Sequence, residues 1–160
     1  MKGDIMISKN MQAFLDMISF SELGSMAHRK DKGASIIVGS RPGRQAKIKD
    51  FSDHPRVAMQ LSETLWSTAA GSFQILQRTF DYYHDLLKLR DFTYKSQCAI
   101  AIQLIKEQGA YELVEAGKIA EAIAKVSNIW ASLPGAGYGQ YENKLNNLLK
   151  YYATQRAASC

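Results

Sequence analysis

Apolar residues recur at three- and four-residue intervals in four separate stretches of this chain, and each stretch is short. Met11, Phe14, Leu15 and Ile18 form the first; Phe73, Leu76, Phe80, Tyr83 and Leu87 the second; Ile119, Ala122, Ile123 and Val126 the third; Leu145, Leu148, Leu149 and Tyr152 the last. This is the period of helices with one buried face. None of them reaches the roughly 20 apolar residues that a membrane span needs. The chain must therefore fold by packing short helices together. Its 160 residues, 46% of them hydrophobic, suffice for one compact domain over 1–160 with a sizeable core.

Local signals set the boundaries. Asn10 is placed to cap a first helix over 10–22. Ser35-Ile36-Ile37-Val38, ended by Gly39, reads as a strand, and Arg41-Pro42-Gly43-Arg44 as a turn. A weaker return strand at 46–51 completes a small hairpin or sheet within 33–51. From Pro55 onward the pattern predicts helices with interruptions. Asp91 or Thr93 can cap a helix that runs to about Gln108 and stops at Gly109. A short helix at 111–116 meets Gly117, and the last helix is expected at 141–155. The fold class is α+β, mostly helical, with a small β lobe at about 33–55. The helical lobe runs from about 56 and includes the first helix.

Charge is concentrated. The formal net charge is +5. Arg29, Lys30, Lys32, Arg41, Arg44, Lys47 and Lys49 lie between His28 and Asp50, against Asp31 and Asp50 alone, so this segment accounts for the whole excess. It reads either as a solvated loop or as a patch for a polyanionic partner. No clear recognition helix or aromatic sheet backs a nucleic-acid interface. Cys98 and Cys160 suggest neither a disulfide framework nor a metal site, and His28, His54 and His84 lack metal-ligand spacing. No cofactor is implied. The first dozen residues carry no secretory pattern, which predicts synthesis in the cytoplasm. Met1 and Met6 both remain possible starts.

Three places carry candidate chemistry. Glu22 continues the stripe of Met11, Leu15 and Ile18 and falls at the C-terminal end of the first helix. Partial burial and the helix dipole would both raise its carboxyl pKa, as a general acid requires. The alternative is a helix-end glutamate turned to solvent. Ser67 to Gln74 is small and glycine-bearing; it allows either tight packing or a close ligand, to which Gln74 would offer both a donor and an acceptor. Ala131 to Gln140 is a glycine-rich loop in which Tyr138 could form a platform for a sugar ring or a base. It lacks the lysine and the strand-loop-helix setting of a phosphate loop.

These segments also occur together in a known family. Ala13-Phe14-Leu15-Asp16-Met17, Ser21-Glu22, Ile37-Val38-Gly39, Ser52-Asp53-His54-Pro55-Arg56, Ser67-Thr68 with Ala70-Gly71, Asp91-Phe92, Lys95-Ser96-Gln97, Ile105-Lys106-Glu107 and Ser127 through Gln140 appear in family order. Over roughly residues 12–150 the chain resembles the lambda-type phage endolysins, lytic transglycosylases with a lysozyme-like fold. The resemblance implies that Glu22 is the catalytic residue. Gln74, Ser72, Phe73, Gly137 and Tyr138 would hold sugars in a groove between the β and helical lobes. It implies cleavage of the β-1,4 bond from N-acetylmuramic acid to N-acetylglucosamine with a 1,6-anhydro product, causing host lysis. A muramidase hydrolysing the same bond, through Asp31, Asp50 or Asp53, is the alternative reading. A non-catalytic cationic wall- or nucleic-acid-binding domain is a further one.

The expected partner is the peptidoglycan glycan strand, with attraction to the anionic envelope, no nucleic acid and no stable membrane insertion. A monomer is expected, reaching the wall after a holin permeabilises the membrane. Leu23 departs from the glycine that often follows the family's glutamate, and Ser35 from an aromatic. Thr79 stands where the lambda-type enzyme has a tryptophan, with Phe80 adjacent.

Overall fold

The computed structural model describes residues 6–44, 46–137 and 142–158. Six α-helices and one two-stranded antiparallel ladder are defined among them: α1 (Lys9–Leu23), β1 (Met59–Gln60), β2 (Trp66–Ser67), α2 (Gln77–Leu87), α3 (Tyr94–Glu107), α4 (Tyr111–Glu115), α5 (Ile119–Val126) and α6 (Leu145–Ala158). This is the mostly helical α+β layout that the apolar periodicity predicts. The backbone divides into two compact units. One takes the chain up to Ser21 and again from Leu104; the other is Glu22–Gln103.

In the first unit, α1 differs from expectation in two ways. Its N-terminus is capped by Ser8, whose Oγ accepts the Met11 N–H at 3.0 Å. Asn10 instead donates Nδ2 to the Val114 and Glu115 carbonyls at the end of α4 and accepts Arg156 Nε at 2.6 Å. A side chain with one foot in each of three segments is worth more there than at a local cap. The second difference is burial. Met11, Ala13, Phe14, Leu15, Met17 and Ile18 are all buried, so α1 is apolar nearly all round rather than along one stripe.

The short helices end where glycine permits a left-handed turn. Gly109, at φ +74°, lets Ala110 N–H reach the Ile105 carbonyl, and Gly117, at +75°, lets Lys118 N–H reach that of Leu113. Ile119, Ala122, Ile123 and Val126 bury one face of α5 as their spacing predicts. The last helix starts at Leu145 rather than 141, because Asn143 is held in the preceding loop by Ser132.

In the second unit, the hairpin expected at 33–51 is represented among the described residues by isolated bridges, Ile36 to Lys47 and Arg41 to Arg44. The two-stranded ladder lies later, pairing Met59 with Ser67 and Gln60 with Trp66, in a stretch where helices were expected. Ala70 then bridges Ile75 around a four-residue turn, with Gly71 at φ +85°. A helix cannot begin until that turn closes. Phe73 is therefore a buried turn residue and not part of the α2 face, which keeps Phe80 and Tyr83 buried.

The core of this unit gathers rings from distant segments. Phe92 meets Phe80 edge-on at 5.2 Å and His54 at 4.9 Å between centroids. The His54 ring has a fixed tautomer. Nδ1 accepts the Arg56 N–H, so Nε2 carries the proton and donates to the Ile75 carbonyl at 2.9 Å. Burial is the main cause that holds its pKa below the usual histidine value. Asp91 braces the entry to α3, accepting from Thr93 N, Thr93 Oγ1 and Ser96 Oγ.

Candidate active site

Glu22 is the penultimate residue of α1 and is half-buried. Its neighbours along the chain are both fixed. Ser21 Oγ lies 2.8 Å from Ser132 Oγ, and Asn143 Nδ2 donates to Ser21 O, Ser21 Oγ and Ser132 O at 3.0–3.3 Å. Leu23 is buried in a cluster with Met26 and Ile36. The leucine that replaces the family's glycine is thus an apolar anchor. A short 3-10 turn, Gly24–His28, follows, and no basic residue occupies the last turn of α1.

The Gly71–Gln74 turn belongs to the second unit. Gln97, 0% exposed on α3, holds it: Oε1 accepts Ser72 N–H at 2.8 Å, while Nε2 donates to the Ala34 and Phe92 carbonyls at 3.1 and 2.8 Å. Gly71 is required here, since a Cβ would lie 2.3 Å from Gln97 Oε1. Ser72 (0% exposed) gives its hydroxyl to the Lys32 carbonyl, and Phe73 (1%) lies 6.2 Å from the Tyr94 ring. Neither side chain presents a surface to a ligand; both position the turn. Gln74 is different. It is half-buried, sits at φ +49° and donates Nε2 to the Gly71 carbonyl at 2.9 Å. A left-handed glutamine costs roughly 1–2 kcal/mol, which the surrounding turn must support. Its amide oxygen has no partner among the described residues.

The glycine loop belongs to the first unit. Gly137, at φ +73°, gives its N–H to Glu142 Oε2 at 3.1 Å, and Gly135 gives its own to Oε1 at 3.0 Å. These two hydrogen bonds, from Gly137 first, hold the Glu142 carboxyl below the usual glutamate pKa. One ionised carboxylate therefore pins both glycines. Tyr138 lies outside the described residues.

The three acids weighed as a second carboxylate are engaged in turns. Burial raises the Asp31 pKa, but hydrogen bonds from Ser35 and Gly33, with Arg29 nearby, bring it below the usual value. Both its oxygens are occupied, Oδ1 by Gly33 N–H and Oδ2 by Ser35. Asp53 accepts Arg56 Nε at 2.8 Å and His54 N–H at 2.8 Å. Asp50 accepts Ser52 N–H at 2.8 Å and is exposed.

Residue spacing reaches Glu22 and the two glycine-bearing segments but not their supports. Gln97, Asn143 and Glu142 are polar residues whose partners are mostly far away in sequence or are backbone atoms. Only a polar residue inside the apolar α3 pattern, Gln97, left a signal.

The chain was compared with known proteins. A family model described as Endolysin matches residues 12–158. The endolysin of Escherichia phage lambda is 46% identical over 145 residues, 89% of each chain. That of Escherichia phage P2 is 42% identical over 155 residues, 91% of this chain and 92% of its own. A solved structure of bacteriophage lambda lysozyme complexed with a chitohexasaccharide superposes with a TM-score of 0.86 at 42% identity, over 94% of this chain and 96% of that one.

Proposed function

The chain belongs to the endolysin family, has a lysozyme-like fold and is a wall-degrading lysis protein; from that premise we propose that it cuts peptidoglycan by lytic transglycosylation through Glu22. The scissile bond in this reading joins N-acetylmuramic acid to N-acetylglucosamine through a β-1,4 oxygen. Glu22, as acid, gives its proton to that oxygen while the bond from the anomeric carbon breaks. The resulting carboxylate then takes the proton of the muramic acid C6 hydroxyl as its oxygen bonds to the anomeric carbon. The product is a 1,6-anhydro sugar, Glu22 ends protonated, and no water is consumed.

The observation that carries this reading is the setting of Glu22, a half-buried carboxyl at a helix C-terminus between two anchored neighbours. A residue that serves as acid and then as base must be protonated at rest and held still. The turn partners of Asp31 and Asp53 support transglycosylation over hydrolysis, which needs a second carboxylate to handle water. Asp50 is the least committed of the three and would be the water-activating residue of a muramidase. The hexasaccharide seen with lambda lysozyme supports a glycan substrate here. Gln74, Gly137 and Tyr138 are the proposed sugar contacts, with Ser72 and Phe73 positioning the turn. Access to the wall follows permeabilisation of the membrane by a holin.

Mass spectrometry of muropeptides released from purified peptidoglycan tests the reading, with Glu22→Gln alongside. Products lighter by one water than reducing-end muropeptides, absent with the variant, are expected. Reducing-end products would replace transglycosylation by hydrolysis and direct attention to Asp50. Normal release by a folded Glu22→Gln protein would remove Glu22 from the chemistry.

A further inference from the structure

The Glu22–Gln103 unit holds an open groove of about 430 Å³ between β2 and the start of α2. Trp66, Thr68, Leu76, Gln77, Arg78 and Asp81 line it. Its volume lies within the roughly 300–1,000 Å³ typical of small-molecule sites. Trp66 is 59% exposed on a strand only two residues long, and its ring has no aromatic partner among the described residues. Val57, Leu61 and Leu65 of the same β1–β2 stretch are exposed as well, and apolar surface gathered in this way marks a place for something else to cover.

The polar groups of the groove divide into two kinds. Thr68 Oγ1 is committed, accepting Gln77 N–H at 3.0 Å at the start of α2. Asp81 is committed as well, taking Arg56 Nη2 at 2.5 Å and Nη1 at 3.2 Å, and the first of its causes, that hydrogen-bonded guanidinium, holds it ionised. The Arg78 guanidinium and the Gln77 side-chain amide have no hydrogen bond or ion pair among the described residues. The groove therefore offers a flat apolar ring beside an amide and the unpaired guanidinium of Arg78.

That combination suits a pyranose. A sugar ring has an apolar C–H face, which can lie on an indole, and an equatorial rim of hydroxyl and acetamido groups for an amide and a guanidinium. One unpaired cation is too little for a nucleic-acid backbone, which is tracked by several. Two of its lining residues, Leu76 and Gln77, follow Gln74 in sequence by two and three residues, directly after the bridged turn. We infer that this groove is an additional saccharide subsite in which Trp66 stacks on an N-acetylated sugar of the glycan strand and Gln77 and Arg78 bind its rim. The inference rests on the glycan substrate proposed above.

The chain has two tryptophans, and the other, Trp130, is 3% exposed. Trp66 is therefore the solvent-facing indole whose emission a covering ligand would shift to the blue. The probe is the β-1,4 hexasaccharide of N-acetylglucosamine, titrated into Glu22→Gln protein so that no turnover intervenes, with calorimetry in parallel. A saturable blue shift is expected, lost in Trp66→Phe. Trp66→Ala should weaken calorimetric affinity about three- to tenfold, the scale of one aromatic contact, and Trp66→Phe should restore part of it. Arg78→Gln should weaken it further at unchanged melting temperature. Calorimetric binding with no spectral shift, or equal affinity in Trp66→Ala, overturns the subsite and leaves the proposed reaction standing. Failure of Glu22→Gln to bind the hexasaccharide, while the wild type releases muropeptides, overturns the subsite too. No binding by the variant together with no release by the wild type would overturn the proposed function as well.

Discussion

Replacing Gln97 by leucine tests whether one buried amide holds the candidate sugar-binding turn in place. The side chain is fully buried and satisfies three backbone groups: Ser72 N–H, the Ala34 carbonyl and the Phe92 carbonyl. Leucine fills most of the same space, so water has little room to take over. Three orphaned groups at about 2 kcal/mol each, less about 2 kcal/mol for burying leucine, leave a net loss of about 4 kcal/mol. At this chain length the melting temperature should fall by roughly 5–20 °C. Urea unfolding measures it directly, as a lower midpoint with an unchanged slope.

Gln97→Glu sharpens the test. One oxygen can still accept Ser72 N–H, but the other would face two carbonyls and fits only as a protonated acid. The folded-state pKa would then be raised above the unfolded value of about 4.3. The native state would hold a proton that the unfolded state has lost. Relative to the wild type, this variant should be stable near pH 4 and lose stability as the pH rises toward 7. A loss below about 1 kcal/mol for Gln97→Leu, within the ordinary range of single substitutions, would refute the reasoning. So would a Gln97→Glu penalty that does not change with pH.

Gly71→Ala combines a left-handed φ with a Cβ 2.3 Å from Gln97 Oε1; it should cost at least as much as Gln97→Leu in the same urea assay and abolish wall lysis. His54 has a depressed folded-state pKa, so below its unfolded value of about 6.5 the unfolded state binds the extra proton. Its stabilising contribution is therefore complete above that pH and falls on acidification. The urea midpoint should drop between pH 7 and 5, and His54→Gln should flatten that slope. Asn143→Ala removes three hydrogen bonds around Ser21 and should cost about 1–2 kcal/mol in stability. Because Ser21 precedes Glu22, kcat for muropeptide release should fall more than KM rises. Equal loss in both would make Asn143 a purely structural residue.

The sequence by itself determined the helices and the local stops. The periodicity of Ile119, Ala122, Ile123 and Val126, the Asp91 turn before α3 and the breaks at Gly109 and Gly117 depend on neighbours within one or two turns, so they are legible in order along the chain. The same holds for Glu22, which spacing alone puts at the end of an apolar helix. Tertiary structure decided what spacing could not reach. Asn10 left its own helix end for partners more than a hundred residues away. The ladder formed at Met59–Ser67, and Phe73 left the α2 face, because the Ala70–Ile75 bridge closes a turn before α2 begins. The supports of the site, Gln97 on Ser72 and Asn143 on Ser21, are polar groups choosing among many possible partners. A buried hydrogen bond is specified by which backbone groups the folded chain leaves unsatisfied, and that is known only once the chain has folded.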